Sequence, residues 1–154
     1  YEPRWVEEPT LTHDFETLAF LRKTTGMRIS EGEREFSIWD FKQLIEEEAA
    51  DVLSPSLPYC GGFSQFRKIA VLAEVAGLQV IPHDGFIGVL HAMLSQSSAL
   101  CPVAEYLVKG NMRSQALYRD GLYPREGMLK LPNRPGLGLD LNTDIVTSKR
   151  ILEF

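Results

Sequence analysis

The sequence predicts an α/β fold in which short parallel strands alternate with helices, and three observations predict it. Short β-type runs and amphipathic helical runs follow one another through the first two thirds of the chain. The connections between them are short, as in strand–helix–strand units with right-handed crossovers. Charged or polar residues recur just at the strand ends, at a spacing close to one such unit.

Taken in order, Trp5-Val6 is a first strand, followed by Glu7 and Glu8 and closed by Pro9. Asp14 to Lys23 reads as a helix, with Phe15, Leu18 and Ala19 on one face and basic residues near its end. Met27 to Ser30 is a second strand. Ser37 suits the N-cap of a second helix that aligns Phe41, Leu44 and Ile45. Asp51 to Ser54 is a third strand, stopped by Pro55. A third helix spans about Ser64 to Ala76, with Phe66, Ile69, Ala70 and Ala73 as its apolar stripe and Gly77 at the left-handed position after it. Gln79 to Ile81 is a fourth strand, Val89 to Leu94 a helical piece, and Ala104 to Val108 a fifth strand. From Tyr118 the chain is rich in Gly and Pro, which predicts turns and short extended pieces outside the main repeat. The expected organisation is residues 1–117 as one barrel portion and 118–154 as a tail packed on the barrel or on a further domain.

The 154 residues match one ordinary domain, and 44% hydrophobic against 24% charged residues is the balance of a globular protein. The formal net charge of -5 argues against nucleic acid as a partner. No apolar run approaches a membrane span, and Cys60 and Cys101 suggest neither a disulfide framework nor a zinc site. A cytoplasmic protein without a membrane partner is expected. The chain opens at Tyr1 almost directly on a strand and is read as part of a longer polypeptide.

Glu7, Glu33, Ser56, His83 and Glu105 carry the chemistry. They lie about 26, 23, 27 and 22 residues apart, and equivalent ends of parallel strands converge on one mouth. Each has a plainer reading: solvated strand ends for the carboxylates, a charged turn at Glu31-Gly32-Glu33, a structural imidazole at His83. Gly61-Gly62 lead into the third helix, whose free N–H groups would suit a ligand carboxylate or phosphate. A tight turn with no ligand needs the same glycines.

As an ordered set these residues resemble the mandelate racemase and muconate-lactonising branch of the enolase superfamily. The matching stretches are Trp5-Val6-Glu7-Glu8-Pro9-Thr10, Gly32-Glu33, Ala50 to Ser56 continuing to Cys60-Gly61-Gly62, Val80-Ile81-Pro82-His83, and Arg134-Pro135-Gly136-Leu137-Gly138 with Leu139 to Asn142. His91 falls where the family often has a second histidine. The resemblance implies the C-terminal part of an enolase-type (β/α)7β barrel, beginning at the equivalent of its fourth strand. It implies Glu7 and Glu33 as two of three Mg²⁺ ligands, and His83 as general acid/base. It implies Glu105 as a protonated donor to the substrate carboxylate, Ser56 at the position of the residue paired with His83, and Gly61-Gly62 at the substrate. The reaction implied is removal of a proton α to a carboxylate through an enediolate. Gly32 to Phe36 and Ala104 to Leu107 are most similar to acid-sugar dehydratases of the rhamnonate dehydratase type, which make 2-keto-3-deoxy acids. A racemase or cycloisomerase on the same scaffold is the alternative, and a non-catalytic scaffold member is a third. A small acid sugar is the expected partner, and the full-length protein is expected to be a homo-oligomer.

Ser56 stands where the family has an Asp, which predicts a less basic His83 or one used only as an acid. Asp84 is discounted as a substitute because neighbouring strand residues face opposite ways. Five strands do not close an eight-stranded barrel. The isolated 154-residue polypeptide is therefore expected to show no dehydration of acid sugars, which an assay for 2-keto-3-deoxy product checks directly.

Overall fold

In the computed structural model, residues 1–85 and 87–148 are described. They form two compact units, Tyr1–Tyr106 and a second from Leu107 onward.

The first unit is built on a four-stranded parallel sheet in sequential order: β1 (Val6–Glu7), β2 (Ile29–Glu31), β3 (Val52–Leu53) and β4 (Gln79–Val80). Helices α1 (Phe15–Thr25), α2 (Ile38–Glu46) and α3 (Phe63–Ala76) make the three crossovers, and α4 (Ile87–Leu94) follows β4. Parallel strands alternating with helices are the α/β arrangement that the sequence predicts.

Each helix starts and stops for a local reason. Asp14 caps α1 by accepting the Thr17 N–H at 3.2 Å, and Gly26 closes it with φ 67°. At the start of α2 the Asp40 carboxylate accepts from the Ser37 N–H at 2.9 Å and its hydroxyl at 3.0 Å. Gly77 ends α3 in the left-handed conformation, φ 71°. The apolar stripes of these helices bury Leu18, Phe41, Leu44, Phe66 and Ile69 almost completely, and Leu53 and Val80 of the sheet are fully buried too.

At the strands' N-terminal ends, Asp51 joins three elements. Its carboxylate takes the Ile29 N–H at 3.0 Å and the Arg22 guanidinium at 2.8 Å, while Arg22 also donates to the Glu48 carbonyl at 3.1 Å. A cavity of about 600 Å³ opens beside this pair, lined by Phe20, Lys23, Arg28 and Glu47 among others.

Two expectations fail here. The Ala104–Val108 strand does not form: Ala104 to Leu107 have no ladder, and Val108 begins a helix, α5 (Val108–Gln115). The Val80 N–H reaches the Leu100 carbonyl at 2.9 Å, but Pro102 follows without an N–H to continue a ladder. Glu105 therefore lies on irregular chain. His83 and Asp84 lie in a bend beyond β4, and Asp84 has φ 68°, so strand alternation does not govern where either side chain points.

In the second unit, α5 buries the polar residues Asn111 and Gln115, and Gln115 accepts the Leu122 N–H at 2.7 Å. Beyond it are the expected turns and bridges, Tyr118 opposite Leu141 and Arg125 opposite Met128, and a 3₁₀ turn at Thr143–Ile145. Arg119 pairs with Asp144 at 3.1 Å and Arg134 with Asp120 at 2.9 Å. The last six residues of the expected tail lie outside the described residues.

The Asp51 junction has a pH signature. Burial alone would raise its pKa, but the Arg22 hydrogen bond, the Ile29 amide and the charges of Arg22 and Arg28 outweigh it and hold the carboxyl below its usual range. A depressed folded-state pKa adds stability above the unfolded value of about 3.9, and that stability is lost as pH falls through the folded value. Asp51→Asn should cost about 1–3 kcal/mol in urea unfolding at pH 7, with the gap to wild type closing below about pH 4.

Candidate active site

The rows of the sheet decide which strand-end residues meet. Glu7 pairs with Ser30, Ser30 with Val52, and Val52 with Gln79, so these four side chains lie on one face. On that face the Ser30 and Ser54 hydroxyls meet at 2.9 Å, and Ser54 donates to the Ile81 carbonyl at 2.9 Å. Buried hydroxyls thus tie β2 and β3 to the chain just beyond β4.

Glu31 is in the next row and faces the other way. Simple alternation would send Glu33 with it. Gly32 breaks the alternation with φ 131°, and a Cβ there would stand 2.6 Å from Phe41 Cε1 and 3.3 Å from the Ser54 nitrogen. After this break Glu33 joins Glu7: one ligand atom each from Glu7, Glu33 and His83 lie within 4.8 Å of one another.

His83 sits between two carboxylates. Its Nε2 is 3.3 Å from Glu33 Oε1, and its Nδ1 is 3.5 Å from Glu105 Oε2. The His83 side chain is 17% exposed, Glu105 25% and Glu33 27%, which makes the group a half-buried rim rather than a sealed pocket. The His83 backbone N–H donates to the Pro55 carbonyl at 3.2 Å, which ties the backbone of His83 to the chain just after β3. Burial raises the Glu105 carboxyl pKa, opposed by the His83 charge and a backbone hydrogen bond from Asp84, and reinforced by Glu7 and Asp84.

The remaining expected site residues are elsewhere in this arrangement. Ser56 is buried on the connection after β3, and among the described residues no hydrogen bond joins its hydroxyl to the His83 ring. Gly61 and Gly62 form the turn into α3, with φ 98° and 79°, and Gly62 caps the helix; the Phe66 N–H returns to the Gly62 carbonyl.

The structure also places three acids near this rim that sequence reading left as turn or surface residues. Glu8, with φ 42°, has one oxygen buried without a partner, and Arg34 lies 3.5 Å from the other. Its pKa is raised by burial and by Glu33. Glu31 is buried and pushed up to about 7, again by burial first and then by the charges of Glu8 and Glu35. Glu35 is fully buried and raised by burial, with His13 Nδ1 3.0 Å from its carboxylate opposing the shift. The visible signal for Glu31 and Glu35 was the density of acids in that stretch, and for Glu8 its place beside Glu7.

Two carboxylates converging at this distance repel unless a proton or cation lies between them. Glu7 and Glu33 supply hard oxygen donors, the ligand type that suits Mg²⁺, and their position on an open rim leaves room for water and substrate oxygens. The residues present fit a hard divalent ion.

Residues 1–145 match the family model described as Enolase C-terminal domain-like. The chain belongs to that family. It is 31% identical to D-galactarolactone cycloisomerase of Agrobacterium fabrum, over 96% of this chain and 42% of that protein. Among solved structures it superposes on L-talarate dehydratase from Polaromonas sp. JS666, complexed with Mg and L-glucarate, with a TM-score of 0.76 and 35% identity over 93% of this chain and 38% of that one. A mandelate racemase/muconate lactonizing enzyme-like protein from Roseovarius sp. TM1035 gives a TM-score of 0.84 at 26% identity, over 94% of this chain and 37% of that one. The chain spans about two fifths of the length of these relatives. Within the enolase C-terminal family, solved relatives include acid-sugar dehydratases and Mg complexes. No helix among the described residues is long and apolar enough to cross a membrane.

The Gly32 break can be tested apart from any reaction. Gly32→Ala puts an L side chain at φ 131° against Phe41 and should cost about 1–3 kcal/mol in chemical denaturation. It should also weaken divalent-cation binding, because Glu33 loses its alignment with Glu7; cation titration of the folded variant reads this second effect.

Proposed function

We propose that this segment supplies two metal-binding carboxylates and an acid–base pair to an acid-sugar dehydratase. The meeting of Glu7, Glu33 and His83 at one rim is the observation that carries the reading. In the protein that bears this segment, Glu7 and Glu33 hold Mg²⁺ together with a ligand from outside the segment. When bound, the ion supplies positive charge that stabilises a substrate carboxylate as electron density moves onto it.

The chain's own groups then divide the work. Glu105, whose carboxyl burial pushes toward the protonated form, donates a hydrogen bond to the substrate carboxylate, strongest as the enediolate develops. His83, aimed between Glu33 and Glu105, gives a proton to the hydroxyl on the neighbouring carbon, which leaves as water. The α-proton goes to a base on the opposite face of the substrate. The enol that results becomes a 2-keto-3-deoxy acid.

Cycloisomerisation is the second reading, favoured by the 31% identity to the galactarolactone enzyme. It uses the same carboxylates and the same α-proton, and differs in which oxygen leaves. A scaffold without catalysis is the third, favoured by Ser56.

Calorimetric titration of the full-length protein with Mg²⁺, followed by product analysis on a panel of acid sugars and their lactones, separates these readings. Binding with 2-keto-3-deoxy product is expected. Glu7→Gln and Glu33→Gln should each lower Mg²⁺ affinity by about 100-fold or more, since each removes a charged ligand. Binding without turnover of any acid sugar or lactone removes the enzyme readings, and no Mg²⁺ binding removes the metal site itself.

A further inference from the structure

We propose that Ser54 is a positioning residue for His83, its hydroxyl standing in for a backbone donor that the chain lacks at Pro55. This rests on the acid–base role of His83 given above, and it adds a residue that sets where the imidazole is carried.

The missing donor follows from the ladder. Just past β3 and β4 the two chains stay paired: the Ile81 N–H donates to the Leu53 carbonyl at 2.9 Å, and the His83 N–H to the Pro55 carbonyl at 3.2 Å. In a parallel ladder, a residue that accepts from one partner donates to the partner two places earlier. Residue 55 accepts from His83, so its own N–H belongs on the Ile81 carbonyl. Proline has no N–H to give. Ile81 is buried, and a buried carbonyl is costly to leave unpaired. The Ser54 hydroxyl takes the vacant role and donates to the Ile81 carbonyl at 2.9 Å.

The second hydrogen bond then has a fixed direction. A serine hydroxyl has one proton, and that of Ser54 goes to Ile81. Ser54 therefore accepts from the Ser30 hydroxyl, 2.9 Å away, and both serines are buried. This orients Ser54 from β2, the strand that leads into Gly32 and Glu33. Only Pro82 separates Ile81 from His83, and its ring fixes one backbone angle, so a shift at Ile81 is passed on to His83. The two hydroxyls thus connect the strand that carries Glu33 to the segment that carries the imidazole.

The test uses the full-length, Mg²⁺-loaded protein. Ser54→Ala removes the donor. It should lower kcat about 10–100-fold, the cost of misplacing a reacting group by about 1 Å. KM and Mg²⁺ affinity should change less than about threefold, because Glu7 and Glu33 keep their places. Ser54→Ala/Pro55→Ala returns an N–H to residue 55 and should recover most of the lost kcat. A serine that only filled space would show no such recovery, since the second substitution removes more atoms. Hydrogen exchange read by mass spectrometry is independent of turnover. Ser54→Ala should speed exchange over residues 81–84 by at least about fivefold while α3 is unchanged, and the double variant should reverse this. If Ser54→Ala does not fold, Pro55→Ala is compared with the double variant. With the donor back in the backbone, loss of the hydroxyl should then alter kcat less than about threefold.

Unchanged exchange over residues 81–84 in Ser54→Ala overturns the proposal. So does a loss of kcat that the double variant does not recover, or a double variant that fails to fold where Pro55→Ala folds. The two readings fail separately. Wild type without acid-sugar turnover, but with the expected exchange pattern, sinks the dehydratase and leaves the tie from Ser54 standing. Turnover that Ser54→Ala leaves untouched does the reverse.

Discussion

Everything at the candidate site depends on in-register parallel pairing of four short strands. The ladders are two or three residues long, so each row of paired residues matters individually. Parallel strands all leave the sheet at the same end, and the residues that follow them gather there whatever their separation in sequence. The helices that make the crossovers bury Leu18, Phe41, Leu44, Phe66 and Ile69, and that packing holds the register. At the opposite end Asp51 fixes the same register with charge and hydrogen bonds, by joining α1 to the starts of β2 and β3.

Gly32 is the place where the sheet's regularity is given up for chemistry. A strand of ordinary residues would have put Glu31 and Glu33 on one face, away from Glu7. The positive φ at Gly32 turns Glu33 to its partner and leaves Glu31 buried behind it. The result is a concentration of acids that only protons or a cation can neutralise. Burial raises Glu8, Glu31, Glu35 and Glu105 toward the protonated form, while Glu7 and Glu33 face the open side where an ion can enter. Arg34 and His13 answer only part of this charge, at Glu8 and Glu35. Membership of the enolase C-terminal family is consistent with that arrangement, since a solved relative is complexed with Mg and L-glucarate.

Two features of the chain were hidden from sequence reading for identifiable reasons. The α5 helix buries Asn111 and Gln115 rather than an apolar stripe, so no hydrophobic period marks it, and its first residue looked like the end of a strand. Glu31 looked like part of a charged turn because carboxylates usually face water. In the structure Glu31 is buried beside Gly32, which lies close against Phe41, nine residues on.

By itself the sequence determined the strand–helix alternation, the caps at Ser37 and Gly77, and the repeat that brings Glu7, Glu33 and His83 to one edge. These follow from local patterning: apolar period, capping side chains and a glycine at a left-handed turn are each readable within a few residues. Only the tertiary structure decided that Glu105 reaches His83 from irregular chain, that Ser56 does not, and that Glu31 turns inward while Glu33 turns out to meet Glu7. Those outcomes depend on distances of a few ångströms between residues far apart in the chain, set by packing and by one glycine's backbone angle, and no pattern along the sequence encodes a distance across space.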